Sequence, residues 1–422
     1  MLRFRRRKSV TGKDAKQEDI YIRSKSTTSL TETTTSDMSS SDSPGETISL
    51  EDQPYFHGML PRDEIVQLLQ KDGDYLVRES RKAGDVNIVL SVKWGSNRHF
   101  IVQMEPDGRF RFEGPPFNSV PQLIRFHANK KIPVTEKSGA ILKNPVNQQS
   151  WELKPGDIRL EKQLGKGNFG EVWKASLKYR GERGDKPVET QEVAVKTCNL
   201  EMPEDERRKF LREARLMRGY NHPNVVRVIG VSAQRDPIMI VMELMPNGAL
   251  ISFLKKNRGK ISANEKLHFA YDSAAGMEYL EAKNCIHRDL AARNCLLGVK
   301  NVVKIGDFGM SRQAHEYKSE GAKQIPIKWT APEALHQGIY TSKSDVWSFG
   351  VLLWEIYSEG QTPYAALSNR DTANEILQGY RMLAPDGTPL ALSKLMQTCW
   401  EKDPTKRHDF KTIRETLHEY VK

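Results

Sequence analysis

An octapeptide, His287-Arg288-Asp289-Leu290-Ala291-Ala292-Arg293-Asn294, followed by Asp307-Phe308-Gly309, restricts this chain more than any other feature. An Asp and an Asn five residues apart put a carboxylate and an amide in one tight loop. The Asp289 carboxylate can accept a proton from an attacking hydroxyl, and the Asn294 amide oxygen can hold a metal ion that also touches a transferred phosphate. Asp307, thirteen residues beyond Asn294, supplies a second ligand for Mg²⁺, with Mn²⁺ as an alternative. Either motif alone recurs by chance. In this order and spacing they signal phosphoryl transfer strongly, and a mere turn with capping polar residues is the weaker reading.

Upstream, Gly165-Lys166-Gly167-Asn168-Phe169-Gly170-Glu171-Val172 is a glycine hairpin between strand-like runs. Glycines let backbone approach phosphates closely. A dinucleotide fingerprint would need a helix directly after the last Gly. Here Val172-Trp173-Lys174-Ala175 reads as a strand instead. Leu164, Gly165, Gly167, Phe169, Gly170 and Val172 are thus candidates to cover a nucleotide. The strand Val193-Ala194-Val195-Lys196 ends in a lysine suited to α/β-phosphates, and such a lysine needs an acid to hold it. Glu213, in the predicted helix 207–218, is preferred over Glu201, Glu204 and Glu206 because it falls in Phe210-Leu211-Arg212-Glu213-Ala214. Lys178 to Glu192 reads as an exposed hairpin loop.

The apolar run Ile238 to Met245 predicts a last small-lobe strand leading into a hinge. Backbone groups of Glu243 and Met245 would bond a purine edge, with Met242 walling the pocket behind it. Beyond the hinge the chain reads as helical. Ala270, Ala274, Met277 and Leu280 recur every three or four residues and predict one buried face. The helix from Ser344 to Trp354 is apolar nearly all round, hence buried, with Asp345 as its N-terminal cap holding the catalytic loop.

Together these residues resemble the protein kinase family, from Ile158 to the C-terminus. Ala291-Ala292-Arg293 and Pro326-Ile327-Lys328-Trp329 look like the protein-tyrosine kinases within it. Where serine/threonine kinases have a Lys two residues after the Asp, this chain has Ala291, and Arg293 can fill that charge role from further out. Such spacing suits the longer reach of a tyrosine hydroxyl, and Pro326 offers a flat surface for the phenol ring. The Fes/Fer subfamily is the best match, on Gly167-Asn168-Phe169-Gly170 and Asp307-Phe308-Gly309-Met310-Ser311-Arg312. The resemblance implies ATP and Mg²⁺ as cofactors and protein tyrosines as substrates. Those relatives carry a long N-terminal membrane-curving region that this sequence lacks. A second departure is His408 after Arg407, where the family usually has Pro, and Arg407 can still pair with Glu333.

A separate unit precedes the kinase-like region. A helix opens at Pro61-Arg62-Asp63-Glu64 with Leu68 and Leu69 on its apolar side, and Gly73-Asp74 breaks it. Three strand-like runs follow, at 75–78, 87–94 and 99–104, each bounded by turn residues, and a helix at 120–129 closes the unit. Arg78 sits inside an apolar strand, where a guanidinium is either a structural ion-pair partner or an anion site. Arg62, Ser80 and His99 can join it. Tyr55-Phe56-His57-Gly58, Tyr75 to Ser80 and His99-Phe100 resemble the SH2 domain, which implies phosphotyrosine-peptide binding through Arg78 with Arg62 in support. Tyr55 stands where that family usually has Trp, a change expected to alter packing rather than the phosphate pocket.

The remainder sets context. Residues 1–25 hold nine Lys/Arg against three acids, and 15 of residues 26–53 are Ser or Thr, so residues 1–53 read as a disordered tail. Its basic start, Arg3 to Lys8, suits anionic lipid or a nuclear signal, though most such runs are solvated tails. The net charge of +11 therefore lies in the body of the chain, where it suits phosphorylated or acidic partners. No nucleic-acid signature is present. Four scattered cysteines, Cys198, Cys285, Cys295 and Cys399, suit a reducing compartment. No apolar run is long enough to span a membrane, there is no signal-peptide core, and Leu2 precludes N-myristoylation.

The expected architecture is α+β: a tail (1–53), an SH2 domain with a central antiparallel sheet and two flanking helices (54–145), a linker (146–157), and a bilobal kinase fold with a β-rich small lobe and a helical large lobe (158–422). The expected protein is a cytoplasmic monomer, with peripheral membrane or nuclear residence left open by the basic cluster. Tyr317, the single tyrosine between Asp307 and Glu333, is the expected autophosphorylation site, with Arg288 placed to meet its phosphate. Tyr420 is expected within the last helix, which argues against a tail latch. The competing reading is a phosphotyrosine-binding scaffold with an inactive kinase fold. It is disfavoured because Lys196, Asp289, Asn294 and Asp307 all stand.

Overall fold

In the computed structural model, which describes residues 20–22, 49–82, 85–167, 170–179, 189–198, 202–319 and 325–421, the chain divides into two units, Met1–Gln149 and Ser150–Lys422. The first is built on five strands in the order β1-β4-β3-β2-β7. These are β1 (Ile20–Ile22), β2 (Asp74–Lys82), β3 (Asp85–Trp94), β4 (Ser96–Ile101) and β7 (Asn144–Pro145). A small hairpin, β5 (Gln103–Met104) with β6 (Phe110–Arg111), follows β4, so the third predicted strand is two separate pieces. Helices α1 (Arg62–Leu68) and α2 (Val120–Lys130) flank the sheet. Side chains alternate across a pleated strand. Tyr75, Val77, Leu90, Val92 and Phe100 share one face and form a core with Val120, Leu123 and Ile124. In α1 the buried apolar residue is Ile65, Leu69 just past its end is also buried, and Leu68 is only half-buried.

Two expectations change here. Within the stretch expected to be a disordered tail, Ile20-Tyr21-Ile22 pairs in parallel with β4. Alternating β-branched and aromatic residues suit a strand, and β4 offers an edge to pair with. A 3₁₀ turn at Leu50–Asp52 also precedes Pro54, and Leu50 packs on the core. Residues 1–19 and 23–48 lie outside the described residues. The linker at 146–157 is not a bare tether either. Val146 N–H donates to Tyr75 O, and Gln148 donates to the carbonyls of Pro54 and Phe56.

The second unit begins with the other half of that segment. Leu153 N–H donates to Val231 O and Val231 N–H to Trp151 O, which lays residues 151–153 along the small-lobe sheet. The sheet runs β11-β12-β10-β9-β8, from β8 (Ile158–Gly167), β9 (Gly170–Tyr179), β10 (Glu189–Cys198), β11 (Val228–Ser232) and β12 (Met239–Glu243). Gly230 permits the approach of 151–153, since a Cβ there would lie 2.4 Å from Trp151 O. Helix α3 (Glu204–Arg218) belongs to the same lobe, and the Arg218 guanidinium stacks 3.6 Å from the Trp151 ring centre. The predicted loop 178–192 is shorter than expected. Residues 189–192 pair with 176–179, and 180–188 lie outside the described residues.

The large lobe is helical: α4 (Leu250–Lys256), α5 (Ala263–Ala282), α6 (Pro332–Gln337), α7 (Ser342–Tyr357), α8 (Asn369–Gln378), α9 (Leu390–Cys399) and α10 (Phe410–His418). Short strand pairs carry the site loops: β13 (Cys285–Ile286) with β16 (Arg312–Gln313), β14 (Cys295–Leu297) with β15 (Val303–Ile305), and β17 (Glu316–Lys318) with β18 (Ile339–Thr341). Ala270, Ala274, Met277 and Leu280 of α5 are fully buried, as their spacing predicts. Gly276 lets α5 press against Asn224 and Ile305, where a Cβ would meet Asn224 O at 2.4 Å. Arg407 is buried and grips Glu333 with two bonds, of 2.7 and 2.8 Å. Tyr420 lies beyond the end of α10, in a turn, and is half exposed, so it is not a helical residue. All four cysteines are buried and unbridged. Burial pushes the Cys285 and Cys399 thiols up to about 12 and also raises those of Cys198 and Cys295.

Candidate active site

Strand register sets the cleft. Lys196 in β10 lies between Val172 of β9 and Ile240 of β12. Its Nζ donates to both Glu213 oxygens, at 2.8 and 3.0 Å, and stands 3.8 Å from Asp307 Oδ1. Of the four candidate acids, Glu213 is therefore the one that holds the lysine. Burial opposes the Lys196 charge, but the Glu213 and Asp307 carboxylates outweigh it and hold the ammonium above the ordinary lysine range. A cleft of about 340 Å³ opens here, lined by Leu164, Gly165, Val172, Ala194, Lys196, Met242 and Met245, and by Asn294 and Asp307 across from them. Gly167 pairs with Gly170 at the hairpin tip, and a strand, not a helix, follows. Gly170 adopts φ +142°, a conformation that glycine tolerates best. Phe169 lies outside the described residues.

The Glu243 N–H is taken by the Arg227 carbonyl at 3.0 Å, and the Met245 carbonyl accepts from Gly248 N–H at 3.1 Å. That leaves the Glu243 carbonyl and the Met245 N–H as the backbone groups suited to the expected purine edge. The Glu243 side chain points to other work, pairing with Lys304 at 2.8 Å.

On the opposite wall, Asn294 Nδ2 donates to the Asp289 carbonyl at 2.7 Å and to its carboxylate at 2.8 Å. The amide oxygen is then the part of Asn294 suited to a cation. Arg293 also pairs with the Asp289 carboxylate, and its guanidinium lies 4.3 Å from the Trp329 ring centre. Burial raises the Asp289 carboxyl above its usual range, with Arg293 opposing. A raised pKa makes it a better proton acceptor. Phe308 is buried against Tyr220 and His287, while Asp307 lines the cleft. Asn294 and Asp307 thus fit a Mg²⁺ that takes its remaining ligands from phosphate and water. Among the described residues no cluster of three or more His, Cys, Asp or Glu competes for a metal.

Asp345 fixes this loop, though not as a helix cap. The cap of α7 is Thr341, whose hydroxyl accepts from Lys343 N–H. Asp345, one turn in, accepts from His287 N–H at 2.7 Å and Arg288 N–H at 2.8 Å. Those two bonds hold Arg288 at φ +69°, a costly conformation for a residue with a Cβ. Burial pushes the Asp345 carboxyl up to about 6. The Arg288 side chain reaches the activation segment: its guanidinium is 4.5 Å from the Tyr317 ring centre, and that of Arg312 is 5.1 Å away. Tyr317 sits in β17, opposite Tyr340, and so between two cations.

In the first unit, Arg78 is buried and its Nε donates to Ser91 Oγ at 3.3 Å. Ser91 Oγ lies 2.9 Å from His99 Nδ1. The Ser91 hydroxyl thus bridges the Arg78 guanidinium and the His99 ring. Burial, then Arg78 and Arg62, push the His99 pKa down to about 3, so it is neutral at ordinary pH. Burial beside Arg78 also lowers that of Arg62. Arg62, Arg78 and His99 thus share one electrostatic pocket. Ser80 lies two residues along β2, on the Arg78 face and half-buried. Tyr55 packs 5.8 Å from Tyr75, in the core and away from these residues.

Three functional residues escaped sequence reasoning. Ser91 holds Arg78 and His99 together; a small polar residue within Ile88-Val89-Leu90-Ser91-Val92 was its available signal. Glu355 of α7 accepts from Ala292 N–H at 2.9 Å and Trp329 Nε1–H at 3.0 Å, tying the catalytic loop to the segment beyond the activation loop. A carboxylate set among the apolar residues Val351 to Tyr357 must find donors, and that was its signal. Trp151 gave no local signal at all.

This geometry defines a protein kinase fold behind an SH2 domain. The protein tyrosine and serine/threonine kinase family matches residues 158–417, and the SH2 domain family matches residues 55–127. The chain belongs to the protein kinase family and carries an SH2 domain. Its relatives include human Tyrosine-protein kinase Fer, 48% identical over 87% of this chain and 44% of the relative. The transforming protein Fps of avian sarcoma virus (strain PRCII) is 48% identical over 86% of this chain and 67% of its own length. Fer-related kinase 1 of Caenorhabditis elegans is 43% identical over 92% and 98% respectively. The chain spans less than half the length of the Fer relatives it matches.

Proposed function

We propose that this chain is a protein-tyrosine kinase that moves the γ-phosphoryl group of ATP to protein tyrosines and binds phosphotyrosine peptides through its SH2 domain. The observation that carries this is one cleft with Lys196 paired to Glu213 on one wall and, on the other, Asp307 and an Asn294 that is bonded to the Asp289 carboxylate. Lys196 fixes the α/β-phosphates, and the Glu243 carbonyl and Met245 N–H meet the purine. Asp289 accepts the phenol proton, with Arg293 and Asn294 fixing its carboxylate. Mg²⁺ held by Asn294 and Asp307 would neutralise phosphate charge. The remainder is positioning. The Trp329–Arg293 stack beside the carboxylate supports tyrosine over serine as acceptor.

Phosphorylation of Tyr317 replaces two cation–π contacts with ion pairs to Arg288 and Arg312, which favours an active segment. The protein acts as a monomer in the cytoplasm, and the cluster Arg3 to Lys8 offers a secondary contact to anionic membrane. The test is Asp289→Asn with a tyrosine-bearing peptide and Mg-ATP. A loss of about 10²–10⁴-fold in kcat is expected. Near-normal turnover would remove Asp289 as the proton acceptor, and absence of turnover by the wild type itself would leave the scaffold reading in its place.

A further inference from the structure

Four of six consecutive residues are cationic in Lys255-Lys256-Asn257-Arg258-Gly259-Lys260, with no acid among them. The stretch closes α4 and forms the loop after it, and all four cations are exposed. Clustered like charges repel one another and gain the fold nothing. Among the described residues Lys255, Lys256 and Lys260 make no ion pair. The neighbouring carboxylate, Glu359, is already engaged: it pairs with Lys266 at 2.6 Å and accepts from Gly259 N–H.

The strip is fixed beside the catalytic loop at both ends. At the start of α4, Ile251 N–H donates to the Ala292 carbonyl at 2.9 Å, within the loop that carries Asp289 and Arg293. Lys255 lies one turn further along α4, about 6 Å down the axis. Its stem packs against the turn after α7, where a Cβ at Gly360 would meet Lys255 Cγ at 2.9 Å. At the far end Arg258 donates to the Glu359 carbonyl at 3.3 Å, and Gly259 turns the chain at φ +74°. Burial raises the Glu355 carboxyl, and Lys255 is among the groups that oppose the rise. Glu355 is itself bonded to Ala292 and Trp329. The lysine field therefore reaches the groups that frame the acceptor site.

What such a strip can take follows from its surroundings. Among the described residues none of the exposed large apolar side chains falls between 249 and 262, so it lacks the anchor that a membrane surface takes up. Its one aromatic ring, Phe253, packs edge-on against Phe269 and offers no stacking platform for a nucleobase. Lysines on flexible stems suit carboxylates presented in varied geometry. We propose that Lys255, Lys256 and Lys260 recognise acidic residues that flank the acceptor tyrosine in protein substrates. An extended peptide advances about 3.3 Å per residue, so a carboxylate about two to five residues from the tyrosine lies about 7–17 Å from it along the chain. The inference rests on the kinase reading above and names the substrate class of that same site.

The test uses the full chain, Mg-ATP and two synthetic peptides built on one tyrosine. The first is flanked on both sides by Glu, and the second has every Glu replaced by Gln. Each is assayed with wild type and with the charge-reversed protein Lys255→Glu/Lys256→Glu/Lys260→Glu. Wild type should show a KM about tenfold lower for the Glu peptide than for the Gln peptide, at similar kcat. Charge reversal should abolish or invert that ratio while turnover of the Gln peptide is kept, and about 0.5 M salt should erase it in wild type. Should the reversed protein turn over neither peptide, Lys255→Gln/Lys256→Gln/Lys260→Gln takes its place, with a lost preference in support and a retained one against. Equal KM values in wild type, or a preference that survives the substitutions, would overturn the inference and leave the kinase reading standing. Equal KM values together with capture of wild type but not of the reversed protein by phosphatidylserine vesicles would assign the strip to a membrane instead. A wild type that phosphorylates neither peptide would sink the kinase reading and this inference with it.

Discussion

On the function proposed above, the cleft of the second unit and the pocket of the first would address the same chemical object, a phosphate at a tyrosine oxygen, with opposite means. The pocket is cationic: Arg78 is buried, Arg62 stands near it, and His99 is forced neutral between them. The cleft mixes signs, with Lys196 set against Glu213 and Asp307, and Asp289 against Arg293. Positive charge alone retains a finished phosphate ester. Transfer also demands a base to receive a proton and ligands for a cation, and these are carboxylates and an amide. The difference between holding and transferring is therefore written in the sign of the neighbouring side chains more than in the number of charges.

The comparison can be broken at either end. Lys196→Met should cut tyrosine phosphorylation by about 10²–10³-fold in a steady-state assay; an unchanged rate would mean the cleft does not rely on mixed charge. Arg78→Met should weaken phosphopeptide binding about 10²-fold by calorimetry, since it removes a buried charged donor. Tyr317→Phe should turn over about tenfold more slowly than wild type phosphorylated on Tyr317, because Arg288 and Arg312 then have no anion to meet.

Titration sharpens the contrast further. Folded Glu355 keeps its proton until about pH 7 because burial raises it, whereas its ordinary value is 4.5. Below the lower value both folded and unfolded chains carry the proton. As pH climbs from there to about 7, the unfolded chain gives it up first, so this group's contribution to stability is lost across that window. Urea midpoints at about pH 5 and about pH 7.5 should fall further for wild type than for Glu355→Gln. The smallest expected effect is none: with a pKa of about 3, His99 ring resonances should stay flat from about pH 5 to about pH 8 in an NMR titration.

What could be read without coordinates follows a physical rule. Lys196, Asp289, Asn294 and Asp307 were legible because each is fixed by a local turn or strand whose spacing survives in sequence. Arg78 was legible because a charge in an apolar strand is conspicuous. Ser91, Glu355 and Trp151 act through partners 8 to 67 residues away: Ser91 with His99 at a separation of 8, Glu355 with Ala292 at 63, and Trp151 with Arg218 at 67. No periodicity reports such pairings. Asp345 shows an intermediate case. Its contact with the catalytic loop was expected correctly, but its station on α7 was misplaced by one turn, since the cap is Thr341. Strand β1 was missed because three residues cannot outweigh the composition around them.

The four interior thiols carry a practical consequence. With Cys198, Cys285, Cys295 and Cys399 shut away and their pKa values raised, maleimide reagents at neutral pH find few thiolates to attack. A single cysteine placed on an exposed helix would then take the dye alone, and the native protein would serve directly as the unlabelled background for distance measurements by fluorescence.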